Sequence, residues 1–295
     1  MDFDEILNGS NQGQKDYNPK PFDKEEWAKR KNQERKELYD LIDKTADEIK
    51  VDSAKFKAYL DTQATFDKYS VGNALLITAQ MPTATQIKDY DGWQEAKAFV
   101  KKNPQWIKIL EPGDSYQRAD GSMATSYNPK RMLDISQTSA KSINRTNNYD
   151  DKTMLKAFLH QCPVDIKAVD NLSDGKGAEW NKDDNVLYIR RGLDAPVIFN
   201  ALSVELARAG LEETGSKELD DFKCYCTSYL VCKKHGIDVS SYRFDNLPEA
   251  IKQMDTSEVR NELGTIRGTM EDINTRMGQY FESIAKTQKN KEYER

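Results

Sequence analysis

Histidine is almost missing: only His160 and His235 occur in 295 residues, and they do not stand at a metal-ligand spacing. A centre built on a paired-histidine motif is therefore not expected. His235 lies in Lys233-Lys234-His235-Gly236-Ile237, which reads as a helix end closed by Gly236, where an imidazolium would complement the helix dipole. Cysteine is scarce as well. Cys224, Cys226 and Cys232 follow a C-x-C-x5-C pattern inside an apolar stretch, not the C-x2-C pairs of a zinc ribbon, and Cys162 stands apart. They read as buried thiols of a reducing compartment, and no cofactor is expected. No apolar run approaches the length of a membrane span, so no membrane partner is expected. The start, Met1-Asp2-Phe3-Asp4-Glu5, is acidic and lacks the apolar segment of a secretory leader, so the expected location is cytoplasmic. Positive charge is in deficit: the net charge is −5, and Lys plus Arg outnumber Asp plus Glu only within residues 51–150, by 13 to 11. That is a weak bias toward an anionic partner, well short of a basic footprint.

What remains is an α+β pattern. Residues 1–22 are polar and read as a disordered tail. An amphipathic helix is expected over 24–50, and a second over 53–81, stopped by Pro82. A short helix over 92–99 follows. Then comes a strand over 106–110 ending at Pro112-Gly113, a polar loop over 113–125, and a returning strand over 128–135. Residues 139–152 read as a linker. Strands over 164–169, 178–180 and 186–189 come next, the last two joined by a turn at Asn181 to Asn185, and then helices over 195–212 and 219–235. From Ser257 to Lys286, apolar residues at Val259, Leu263, Ile266, Met270, Ile273, Met277, Phe281 and Ile284 trace a seam of near-heptad spacing. Such a helix either packs on its own chain or offers itself to a partner.

The helix over 195–212 carries Val204-Glu205-Leu206-Ala207-Arg208. In a zinc peptidase the corresponding stretch is H-E-x-x-H, with two histidines on one helix face and a glutamate base between them. Here only Glu205 is kept. Valine has no donor atom, and a permanently charged guanidinium stands where a cation would bind. Arg208 is expected to pair with a nearby carboxylate, Glu205 among them, in place of a metal.

The order of short motifs resembles the ArdC-type plasmid antirestriction family over roughly residues 53–245. It rests on Tyr69-Ser70-Val71-Gly72-Asn73, Gln80-Met81-Pro82-Thr83-Ala84-Thr85, Gly92-Trp93, Trp106 to Pro112, and Leu133 to Thr138. In the second half it rests on Asn185 to Ile189, Val204 to Arg208, and Tyr229-Leu230-Val231-Cys232 leading into Gly236-Ile237-Asp238. The resemblance implies a single-stranded-DNA-binding domain, taken over 23–138, and a zincin-like domain over 153–254, on either side of the linker read over 139–152 and ahead of the long helix taken over 255–295. It also implies histidines where Val204 and Arg208 stand and an acidic ligand on the next helix, where the sequence register puts Tyr225. The sequence departs from the family in these positions and in a lost glycine near Lys101-Lys102, so an inactivated peptidase domain is expected and no catalytic residue is assigned. Single-strand binding needs stacking platforms and phosphate contacts. The nucleic-acid-binding candidates are Tyr69, Trp93 and Trp106 for stacking, with Tyr90 beside them. Lys101, Lys102 and Lys108 would meet phosphates, with Lys68, Lys88 and Lys97 beside them, and Ser70, Asn73, Gln80, Thr83 and Thr85 would hydrogen-bond phosphate or base edges. The expected function is single-stranded DNA binding for a conjugative plasmid or phage, protecting incoming DNA. The alternatives are a module that inhibits a host defence protein and, behind it, a metallopeptidase.

Overall fold

The structure, a computed structural model, describes residues 23–141 and 149–293. The expected tail over 1–22 and most of the expected linker lie outside the described residues. Helix α1 (Lys24–Ile49) begins where the Asp23 carboxylate accepts the backbone N–H groups of Glu25 and Glu26, and it buries Leu38, Ile42, Ala46 and Ile49 at helical spacing. Asp52 caps α2 (Ser53–Thr65) in the same way. The single helix expected over 53–81 is in fact two. The chain turns at Phe66 to Ser70, the buried Gln63 side-chain amide donates to the carbonyls of Phe66 and Tyr69, and Ser70 Oγ accepts from Asn73 N–H to start α3 (Val71–Gln80). Periodicity survived the break because both pieces face the same core.

A three-stranded antiparallel sheet follows, β1 (Ile87–Lys88), β3 (Met123–Asp134) and β2 (Ile107–Gln117), in the order β1-β3-β2. Between β1 and β2 lies the short helix α4 (Tyr90–Glu95), a little earlier than expected because Asp89 caps it. The expected end of the strand at Pro112-Gly113 is not an end. The ladder shifts register between Pro112 and Ser115 and then continues, a β-bulge that accommodates a proline without a donor. At Gly113 a Cβ would come within 2.5 Å of Asn128 Nδ2 and 2.6 Å of Ser126 Oγ, so a larger residue there would displace both side chains. The expected loop over 113–125 is therefore mostly hairpin, turning at Arg118 to Gly121.

The second half begins with α5 (Asp151–Leu159), which occupies the end of the expected linker. Its sheet has the order β4-β6-β5. Strand β4 (Asp165–Val169) runs parallel to β6 (Val186–Arg190), which pairs antiparallel with β5 (Ala178–Asn181). Helices α6 (Ala195–Gly210), α7 (Lys217–Lys234), α8 (Glu249–Gln253) and α9 (Thr256–Tyr293) complete the chain. His235 ends α7, but not as a charged cap. Its ring lies against Phe281 and contacts Asn274 Oδ1 at 2.9 Å, and burial holds its pKa down to about 4.

The two sheets are separate, but the helices on either side of 142–148 share one core. It runs from Leu38, Phe56, Leu60 and Leu75 through Phe158, Leu187 and Leu202 to Tyr229, Ile266, Met277 and Phe281. Along α9, Val259, Leu263, Ile266, Met270, Ile273, Met277 and Phe281 are all buried and Ile284 is half-buried, so the heptad-like seam is filled by the chain itself except at its last position. Among the described residues no helix is long and apolar enough to cross a membrane.

Candidate functional sites

Two of the expected nucleic-acid contacts close a sheet edge instead. The side-chain amide of Asn73 donates to the carbonyl of Leu110 and accepts its N–H, both at 2.8 Å. Gln80, two helical turns along α3, does the same to Lys108 at 2.8 and 2.9 Å. Lys108 and Leu110 are two apart, so both present backbone groups on the same edge of β2. Two amides at helical spacing thus stand in for a neighbouring strand. Neither is free for DNA.

Trp93 is not a stacking platform either. It is 1% exposed, and its indole N–H donates to the Leu133 carbonyl at 2.8 Å. Trp106 packs half-buried against the same small cluster. Tyr69 packs edge-on against Phe66, and its carbonyl accepts from Arg267 Nε at 2.7 Å. Ser70 serves as the α3 cap. Thr83, Thr85, Lys101 and Lys102 are exposed, although the Lys101 ammonium donates to the Ser136 carbonyl at 2.7 Å and Thr85 N–H donates to Asp134. Lys108 lies elsewhere, with Nζ 2.9 Å from Glu34 Oε1, a contact that holds the Glu34 pKa below its ordinary value.

Lys108 is one wall of a groove of about 590 Å3 between α1 and the hairpin, lined by Arg30, Lys31, Gln33, Glu34, Glu37, Lys108, Pro129, Lys130 and Arg131. Five cationic residues and two carboxylates line it, with Lys130 turned to the other face of β3 from Arg131. Lys130 is held by Glu111 at 2.7 Å and Asp89 at 3.1 Å, and Lys31 by Glu34 at 3.3 Å. Arg30 and Arg131 are exposed and make no ion pair among the described residues. Tyr127, 40% exposed, lies on the same face of β3 as Pro129 and Arg131. Apart from Lys108, these residues escaped sequence reasoning. Arg30-Lys31 sits in an acidic segment and Lys130-Arg131 in a strand, and only the packing of α1 on the hairpin brings the two pairs together.

In the second half, Glu205 Oε2 accepts the backbone N–H of Trp180 at 3.0 Å and lies 3.4 Å from Arg208 Nε. Arg208 Nη1 donates to Asp221 Oδ1 at 2.6 Å. One guanidinium therefore ties α6 to α7, and through Glu205 to β5. Burial works against its charge, but the Asp221 hydrogen bond and the neighbouring carboxylates outweigh it and raise its pKa. The expected pairing of Arg208 with Glu205 is present. The expected place of Tyr225 is not: its hydroxyl accepts Arg243 N–H at 2.7 Å, and its ring leans on Tyr242 and Phe244. Asp221, one turn earlier on α7, is the acidic side chain that faces α6. Val204 is half-buried and offers no donor. This donor set does not fit a metal, because a cation already occupies the carboxylates. Cys224, at the edge of the adjoining pocket, is pushed up to about 11 by burial and is a poor nucleophile at neutral pH.

This arrangement of a helical core carrying two small sheets shares its fold with a solved antirestriction protein. The crystal structure of the antirestriction ArdC protein from plasmid R388, metal-free, superposes with a TM-score of 0.55 at 12% identity, covering 81% of this chain and 98% of that one. Its Mn(II)-bound form gives 0.54 at 12% identity, covering 80% and 98%. The resemblance seen in the sequence thus holds at the level of fold. No family model matches the chain, and no curated protein does.

Proposed function

We propose that this protein binds single-stranded DNA in an antirestriction role for a mobile element, and that its second half is a zincin-like domain kept as a metal-free, non-catalytic scaffold. The cationic groove between α1 and the hairpin carries the proposal, and the shared fold with ArdC supports it. Phosphates follow Arg30, Lys31, Lys108 and Arg131, and Tyr127 offers a ring on which a base stacks. Stacking needs an open base face, which a duplex hides, so the strand bound is single. For the second half, Glu205 supports the same reading. It is hydrogen-bonded to Trp180 and paired with Arg208, so it is not poised to take a proton from water. The proposed site of action is the cytoplasm. The acidic remainder of the chain fits a second role against a host defence protein less well, since the α9 seam is filled from within.

Fluorescence anisotropy with a labelled single-stranded oligonucleotide and its duplex, across a salt series, tests the first half. Micromolar or tighter single-strand binding that weakens steeply with salt is expected. Arg131→Glu should weaken it about tenfold and flatten the salt slope, and Tyr127→Ala should lower single-strand affinity by roughly tenfold with little effect on any duplex binding. Absence of binding at low salt overturns the proposal.

A further inference from the structure

Strand β4 is an edge strand open on both faces. Asp165, Ile166, Lys167 and Ala168 are exposed and Val169 is half-buried. Its inner edge is used: Asp165 N–H donates to the Asn185 carbonyl, and the Val169 carbonyl accepts from Arg191 N–H. Backbone groups alternate direction along a strand, so Asp165, Lys167 and Val169 face β6, and the N–H and C=O of Ile166 and Ala168 face outward. None of these four groups has a hydrogen-bond partner among the described residues. An open edge of this kind is a template for another strand.

The side chains specify which strand fits. Ile166 lies beside Leu187, and Ala168 beside Ile189, so the two share the face that carries the buried Leu187. Ile166 is nevertheless 37% exposed, because none of the described residues continues the sheet past it. Asp165 and Lys167 point to the opposite face and pair with no side chain among the described residues. An antiparallel copy of the same strand, centred on Ile166, matches on both faces. Ile166 meets Ile166 of the second copy and exchanges two backbone hydrogen bonds with it. Asp165 meets Lys167 and Lys167 meets Asp165, and Ala168 meets Val164. The side chains fix the centring. Centring on Lys167 would oppose two lysines, and centring on Ala168 would set Lys167 against Val169 and lose both Asp165–Lys167 pairs. We propose that β4 pairs with β4 of a second copy of this chain, making a two-fold dimer with one continuous six-stranded sheet.

The contact is small, so the dimer is of the weak, concentration-dependent kind. Sedimentation velocity of the full chain from about 1 to 500 μM reads it directly, a range that spans weak association. The wild type should shift from monomer to dimer. Asp165→Lys and Lys167→Asp should each raise the dissociation constant at least tenfold, and the double swap Asp165→Lys/Lys167→Asp should restore dimerisation. Both positions are exposed and outside the core, and circular dichroism checks that the variants fold. Hydrogen exchange at the Ile166 amide should slow as concentration rises. A wild type that stays monomeric throughout overturns the pairing, as does a dimer that neither single reversal weakens.

Discussion

Replacing Arg208 with methionine keeps most of its aliphatic stem and removes the guanidinium that joins α6 to α7. Its Glu205 partner is then a carboxylate only 14% exposed, left with the Trp180 N–H alone, while Asp221, 43% exposed, can rehydrate. A fully buried pair broken on one side costs about 3–5 kcal/mol and a surface pair about 0–1 kcal/mol. With one partner in each condition, about 2 kcal/mol of destabilisation is expected, a fall of several degrees in Tm. Glu205→Gln keeps the acceptor for Trp180 and removes the charge, so it should cost less, and it should rescue part of the Arg208→Met loss. A double-mutant cycle in urea, read as shifts in midpoint at constant slope, should give a coupling of about 1 kcal/mol. The wild type should melt at the same temperature with and without a chelator, because the cation holding these carboxylates is a side chain. Arg208→Met within about 0.5 kcal/mol of wild type, or a coupling near zero, would show that the guanidinium does not hold this junction.

Asn73→Ala leaves the N–H and C=O of Leu110 without partners in a buried edge, so a loss of about 3 kcal/mol is expected from denaturant titration, with Asn73→Asp recovering only the acceptor half. His235 has a folded pKa near 4, below the ordinary value of 6.5, so the folded state binds fewer protons than the unfolded chain between these limits. Its contribution is complete above pH 6.5 and is lost as pH falls toward 4. Allowing for a ring that is not fully enclosed, this amounts to about 1–2 kcal/mol. Comparing Tm against pH for wild type and His235→Gln isolates it, and parallel curves would remove the imidazole from the account.

Most elements were legible because hydrophobic period and capping chemistry are local. The helices over 24–49, 195–210 and 256–293, and the three strands of the second sheet, fall close to where spacing and turn residues put them. Errors arose where a local signal had a non-local answer. Pro112-Gly113 reads as a stop, but a bulge carries the strand through it. Asn73 and Gln80 read as a polar stripe awaiting a ligand. Their partners are backbone groups of a strand 28 and 37 residues away, and no sequence window contains both. Trp93 reads as a platform until Leu133 supplies its acceptor. The cationic groove was hidden for the same reason, since its two basic pairs lie about a hundred residues apart and each is diluted by acidic neighbours.

The shared core also bears on why the two halves persist together. Residues of α2 and α3 are packed against α7 and α9, and polar ties cross the same junction. Arg267 Nε donates to the Tyr69 carbonyl, Lys50 Nζ donates to the Met254 carbonyl at 2.8 Å, and Asp61 of α2 accepts from both Tyr229 and Lys233 of α7. Removing the second half would uncover Phe56, Leu60 and Leu75, each now fully buried, and each worth about 2 kcal/mol of burial. The proposed DNA groove stands on α1, whose inner face belongs to that core. Selection on the groove therefore preserves the second half whether or not it does chemistry. Within that second half, Arg208 is the cation that holds Glu205 and Asp221 together.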